Sequence, residues 1–331
     1  MVNSKRIEFI DLAKGICILL VVLLHIGIDV NFLGMVSMRM PLYFVLSGLF
    51  FKDYGGLREF VGKKVNRLLL PFVFFYLLGY VIYYCVNILF PNIDIYGEFR
   101  VWSIFSFVDQ RVYFNGPIWF LLALFWTNLL FEIITLNVRS EYIRALIVLL
   151  IGVLGYIVGV YKVRLPFVFD VSMSALPFFY LGYLLRKSSI LYSNRYDKYN
   201  LLFAIVFYLL SAGIDYIFDC PHIWFHFNSY SGNPLLAVLV SVTSVCAVLF
   251  LCKAIGYLPF ISYIGRYSIV FLCTHHLVYR HLFILFDETK MTDKYIVSCL
   301  TILICLMLVP ICKRYIPWFV AQKDLVSFRQ R

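Results

Sequence analysis

Residues 11–26 read DLAKGICILLVVLLHI: an aspartate and a lysine open a run that is otherwise almost wholly aliphatic, and a histidine stands near its end. The run is apolar enough to enter a bilayer, where ionisable side chains are costly. At about 100° per residue, the eleven-residue step from Lys14 to His25 ends about 20° past three full turns. The two side chains therefore share a face, about 16 Å apart along the axis. Asp11 lies one turn before Lys14 and Asp29 one turn after His25, so one stripe of the helix is polar. Such a stripe must face protein or a water-filled cavity. A plainer reading puts Asp11 and Lys14 at the cytoplasmic interface, Lys14 snorkelling to water, with His25 a satisfied interior histidine.

The same character extends along the chain. Its 331 residues are 63% hydrophobic, 19% aromatic and 14% charged. Soluble domains are about 45–50% apolar and about 25% charged. The expected fold is an all-α, polytopic integral membrane protein, a single transmembrane domain over residues 1–331 with no segment left for a soluble one. The basic start followed by an apolar run reads as a retained helix, because the run is long, charged and lacks a clear small-residue cleavage site. The nine cysteines suggest no disulfide framework, since all but Cys220 lie in or beside apolar runs.

Ten segments can span: about 11–30, 34–51, 68–90, 116–136, 145–161, 165–185, 199–218, 233–252, 267–286 and 295–312. With a cytoplasmic N-terminus, 20 of the 29 lysines and arginines fall on the cytoplasmic side, 6 fall outside, and Lys14, Arg39 and Arg280 fall in the spans. That asymmetry places both termini in the cytoplasm. It also explains the net charge of +11 by topology, and no motif points to nucleic acid. Between the second and third spans, Lys63, Lys64 and Arg67 read either as a positive-inside signal or as a site for phosphates. In the second span, Arg39 stands near the external end ahead of Pro41 and Ser47, either as an interface anchor or as part of a site.

Six segments now make a pattern in order: IDLAKGICILLVVLLH, RMPLYFVLSGLFF, KKVNRLLLPF, GPIWFLLALF, FFYLGYLL and IGRYSIVFLCTHH. Together, over about residues 7–280, they resemble the membrane-bound acyltransferase family 3. The similarity is greatest to its branch of sugar O-acetylases like fucose 4-O-acetylase. The resemblance implies transfer of an acyl group, usually acetyl, from cytoplasmic acetyl-CoA to a hydroxyl of a cell-envelope or lipid-linked glycan, at the cytoplasmic (inner) membrane. It implies an essential histidine at His25 and a basic partner at Lys14, where many members have arginine. A further basic pair falls on Lys64 and Arg67, and a late histidine on His275. Arg39 stands where related sugar acetylases often have histidine, which puts proton transfer there in doubt.

The mechanism these residues suggest has Lys14, Lys64 and Arg67 hold the CoA phosphates while the pantetheine arm follows the polar stripe to His25. There His25 acts as general base or accepts the acyl group covalently. Asp11 and His275 are further catalytic candidates; Arg39, Ser47 and Trp119 are acceptor-binding candidates, Trp119 also suiting an interfacial belt. Asp170 and Asp215 lie in later spans, where they could orient a histidine or sit near loop ends. His276, Arg280 and His281 crowd the ninth span, as a site or as a polar helix end. His222 and His226 lie in the external loop DCPHIWFHFNS and could bind a metal if it were helical, but no ligand set accompanies them; they read as surface-loop histidines and no metal is expected. The competing readings are a transporter or flippase for a lipid-linked sugar or small metabolite, disfavoured by the absence of a duplicated half, and a structural membrane subunit.

Overall fold

The computed structural model describes residues 7–28, 30, 35–90, 100–108, 114–219 and 221–326. Asp29 and Cys220 lie outside them. The described chain contains twelve α-helices. They are α1 (Glu8–His25), α2 (Arg39–Leu49), α3 (Leu57–Lys64), α4 (Leu70–Leu89), α5 (Trp119–Asn137), α6 (Glu141–Val160), α7 (Phe169–Lys187), α8 (Asn200–Ile217), α9 (Pro234–Ile255), α10 (Pro259–Arg266), α11 (Ser268–Leu282) and α12 (Met291–Tyr315). A π-helical turn, Val65–Leu69, joins α3 to α4 without a break. Two-residue strands, β1 (Ile223–Trp224) and β2 (Ser229–Tyr230), pair antiparallel in the loop before α9.

The all-α, polytopic reading holds. Among the described residues, seven helices are long and apolar enough to cross a membrane: the continuous Leu57–Leu89 segment, α5, α6, α7, α8, α9 and α12, of which α5, α7 and α8 are each extended at the start by a short 3-10 turn. The other three expected spans are also helical, in α1, α2 and α11, but they are shorter or carry more charge. α1 holds Glu8, Asp11 and Lys14, whereas α2 has only 11 residues and α11 has 15. Ion pairs join loops expected on the same, cytoplasmic side: Lys187 with Glu141 (3.1 Å), Lys253 with Asp197 (2.9 Å) and Lys63 with Asp324 (2.5 Å). They fit the alternation that the basic-residue count implies.

Burial sorts the helices into layers. α6 turns Leu146, Leu149, Leu150 and Val153 outward, and α8 does the same with Leu201, Leu202, Ile205 and Leu209. Large apolar side chains on an outer face suit contact with lipid tails. The inner faces carry small residues, which let backbones approach closely. A Cβ on Gly48 of α2 would overlap the Phe179 carbonyl of α7, and one on Gly182 of α7 would overlap the Val45 carbonyl of α2. Gly15 of α1 and Gly265 of α10 are reciprocal in the same way, meeting Ile261 and Asp11. These two crossings lock α1 and α2, the helices that carry the first site residues, into the scaffold.

Arg39 sits deeper than an interface anchor would. Its carbonyl accepts from the Cys17 thiol at 3.0 Å, half-way along α1, and the Tyr43 hydroxyl donates to the Lys14 carbonyl at 3.2 Å. The reason is length: eleven helical residues cover about 16 Å, roughly half the hydrocarbon core. The chain before α2 therefore descends into the protein, as a 3-10 turn over Met35–Met38, before the helix begins.

Candidate active site

Three separate pieces of chain meet at the C-terminal end of α1. The first is His25 itself, in the last turn of that helix. The second is α11, which packs along α1 and α12. Its His275 places Nε2 at 3.2 Å from His25 Nδ1, while His275 Nδ1 lies 2.6 Å from the Phe271 carbonyl. A carbonyl only accepts, so His275 Nδ1 carries the proton and its Nε2 carries a lone pair. His25 must then donate from Nδ1. Its Nε2 is left as a basic nitrogen.

The third piece is the loop before α9, which folds inward as the β1–β2 hairpin. Phe225 at its tip is buried between Phe44 of α2 and Phe178 of α7, with ring centroids at 5.6 and 5.7 Å. Asn228 latches the hairpin from a left-handed conformation (φ 44°). Its Oδ1 accepts from the Ser174 hydroxyl at 2.7 Å and its Nδ2 donates to the Gly155 carbonyl at 3.0 Å. Neither strand nor turn is α-helical, so the i,i+4 helical face imagined for His222 and His226 does not exist. Both histidines line a cavity instead of lying on a surface loop.

That cavity is about 400 Å³ in volume and mostly apolar. His25, His276, Arg39 and Ser37 give it polar groups; Trp119, Phe120 and Trp224 give it aromatic walls. The His226 ring lies over Trp119, nearly parallel, with centroids 5.3 Å apart. A mainly apolar pocket with a few convergent polar groups is what a small-molecule site requires. His25 also borders a second, more polar cavity of about 820 Å³, with Arg280, Lys294, Asp287 and Glu288 in its wall.

The site residues expected from sequence therefore divide. His25, His275, Arg39 and Trp119 come together at or beside the first cavity. Asp11 does not: it shares the stripe, but fourteen residues put it about 21 Å from His25 along the axis. Ser47, eight residues beyond Arg39 on α2, hydrogen-bonds Asn128 of α5 at 3.0 Å and lies about 12 Å further along the helix, away from the cavity. Asp170 and Asp215 are buried in α7 and α8. The hairpin residues Phe225 and Asn228 escaped sequence reasoning. Their signal was the aromatic density of HIWFHF, unusual for a surface loop.

At the opposite end of α1, Lys14 stands over Phe50 (5.4 Å) and Lys64 over Phe60 (5.0 Å). Phe60 touches Phe51 at 5.7 Å, so both cations gather around the end of α2. Arg67 contacts the Ala321 carbonyl and lies 3.8 Å from the Asp324 carboxylate. The backbone N–H groups of Leu325 and Val326 donate to Asn66 Oδ1 at 2.7 and 2.9 Å, which straps the segment after α12 across the π-helical turn.

Among the described residues, no group of three histidine, cysteine, aspartate or glutamate side chains is arranged to hold a metal ion. The eight described cysteines are free thiols.

Residues 7–314 match the family model described as an acyltransferase domain, that of acyltransferase family 3. No curated protein and no solved structure matches the chain.

Proposed function

We propose that this chain, which belongs to the membrane-bound acyltransferase family 3 and is accordingly an O-acyltransferase enzyme, uses acetyl-CoA as donor and a hydroxyl of a cell-envelope or lipid-linked glycan as acceptor. The membrane would be the cytoplasmic one. The observation that carries the reading is the His25–His275 pair at the edge of an apolar, aromatic-walled cavity. The flippase alternative loses ground because the family match covers nearly the whole chain.

The chemistry follows from the hydrogen bonds. His25 Nε2 takes the proton from the acceptor hydroxyl as its oxygen attacks the thioester carbonyl carbon. A C–O bond forms, and the carbonyl oxygen becomes an oxyanion beside the buried Arg39 guanidinium, which offsets the new charge. The C–S bond then breaks and the CoA thiolate recovers the proton from His25. During the proton's stay, positive charge on His25 spreads through Nδ1–H to His275, whose own Nδ1–H is held by Phe271. A backbone carbonyl thus fixes the tautomer, the task a carboxylate performs in other histidine bases.

The donor would enter from the cytoplasm. Lys14 and Lys64 suit its phosphates, and Arg67 joins them on exchanging Asp324 for a phosphate oxygen. The distance of about 16 Å from Lys14 to His25 suits an extended pantetheine arm. The test is radiolabelled acetyl transfer from acetyl-CoA by the purified protein in nanodiscs, with an envelope extract as acceptor. Transfer by wild type and its loss in His25→Ala support the reading; equal transfer by both overturns it.

A further inference from the structure

The hairpin before α9 has a second face. Ser229 and Tyr230 of β2, with Phe227 of the turn, wall a further cavity of about 470 Å³. Opposite them stand the C-terminal end of α6 and the turn after it, which carries Lys162 and Arg164. Phe227 lines both this cavity and the one at His25, so the two spaces lie on either side of one turn. The wall between α6 and the hairpin is closely built. A Cβ on Gly159 would overlap the Asn228 carbonyl, and the Tyr156 and Tyr230 rings meet edge-on at 4.9 Å between centroids.

Charge in this cavity is one-sided. Lys162 and Arg164 line it, and among the described residues no acidic side chain does. Neither cation makes an ion pair among those residues, whereas Lys187 and Lys253 each hold a carboxylate. Lys162 is set in a left-handed conformation (φ 54°) by the bonds that close α6: its N–H donates to the Gly159 carbonyl and the Val163 N–H to the Val158 carbonyl, both at 3.0 Å. The Arg164 guanidinium lies 5.8 Å from the Phe227 ring centroid. Cations after a helix C-terminus are favoured by its dipole, but that alone requires no cavity between them and a hairpin.

The cavity also adjoins the face that α6 turns outward. Leu146, Leu150, Val153, Ile157 and Val160 form one stripe at three- and four-residue spacing, each between 41% and 56% exposed. Val160 is both the last of that stripe and part of the cavity wall. An exposed aliphatic stripe that ends at two unpaired cations matches acyl chains joined to a negatively charged headgroup. We infer that this cavity is a binding site for an anionic phospholipid, its phosphate between Lys162 and Arg164 and its acyl chains along the outward stripe of α6. A zwitterionic headgroup brings its own ammonium against the two cations and is disfavoured. A lipid held there braces the hairpin from behind, through Ser229 and Tyr230. The inference goes beyond the acyl-transfer reading and does not depend on it.

The experiment is native mass spectrometry of the full chain released from detergent micelles and titrated with phosphatidylglycerol or phosphatidylcholine, with amide hydrogen exchange as a second readout. Wild type should bind the first phosphatidylglycerol more tightly than the first phosphatidylcholine by on the order of ten- to thirtyfold, the effect of two cations near an anionic lipid. Lys162→Gln/Arg164→Gln should erase that preference; both side chains are exposed, so the fold tolerates the change. Lys162→Arg should keep it, as should Arg139→Gln/Arg186→Gln, which removes two exposed basic residues outside the cavity. Phosphatidylglycerol should slow exchange over residues 156–164 and 222–232 in wild type and not in the cavity variant. Four results overturn the inference: equal preference in wild type and the cavity variant, an equal loss in the Arg139/Arg186 variant, slowed exchange only elsewhere in the chain, or displacement of the lipid by millimolar inorganic phosphate, which would make the site one for a free anion.

Discussion

Removing the His275 side chain should slow the chemical step without weakening donor binding. His275 Nε2 is 3.2 Å from His25 Nδ1, and its other nitrogen is fixed 2.6 Å from the Phe271 carbonyl. Its loss leaves the His25 ring with its Val21 backbone hydrogen bond but without the His275 acceptor that shares the imidazolium charge. A hydrogen bond to a charged group contributes about 1.5–3 kcal/mol, the cost of losing it. If that cost falls on the transition state, where His25 is positively charged, the rate drops by roughly ten- to hundredfold, since each 1.36 kcal/mol is tenfold. His25→Ala removes the base itself and should cost more, about 10²–10⁴-fold. The assay is single-turnover acetyl transfer, with acetyl-CoA KM measured in parallel. His275→Ala should lower kcat with KM within about twofold, and His275→Gln, whose amide oxygen can stand in for Nε2, should recover much of the loss. The double variant His25→Ala/His275→Ala should be no slower than His25→Ala alone, because residues acting as a unit are non-additive. Additive losses, or a full rate in His275→Ala, would refute the relay.

Three further outcomes follow from other contacts. Gly48→Ala places a Cβ against the Phe179 carbonyl and should destabilise the α2–α7 crossing by about 1–3 kcal/mol, seen as a lower melting temperature in detergent. Asn228→Ala breaks the two bonds that latch the hairpin and should raise acceptor KM roughly tenfold while leaving acetyl-CoA KM unchanged; a change in the donor constant alone would contradict it. Arg67→Ala should raise acetyl-CoA KM, whereas Asp324→Asn should lower it modestly by freeing Arg67 and Lys63, with little change in stability because exposed ion pairs contribute only about 0–1 kcal/mol.

Much of the fold and part of the site could be read from the sequence, for distinct reasons. Long apolar runs and the asymmetry of basic residues report the bilayer directly, so the spans and their alternation were accessible. Helical periodicity gives azimuth, and it placed Asp11, Lys14 and His25 on one stripe correctly. It does not say which level of the stripe is catalytic, and Asp11 proves to be about 21 Å from the histidine it was expected to assist. Arg39 was placed too near the outside because a short helix starting inside the protein has the same sequence as the inner part of a full span. His275 was reached only through resemblance, since nothing local links it to a residue 250 positions earlier. The hairpin was misjudged for the opposite reason: its histidines read as surface-loop residues, while the burial of Phe225 and the left-handed Asn228 are tertiary facts.

The central claim is that His25, as general base, promotes transfer of an acetyl group to a glycan. Its most direct test is mass spectrometry of envelope glycans from cells lacking this protein, complemented with wild type or His25→Ala at matched membrane levels. An acetyl increment restored by wild type and absent with the variant is the predicted result. Identical glycan masses in all three strains would contradict it.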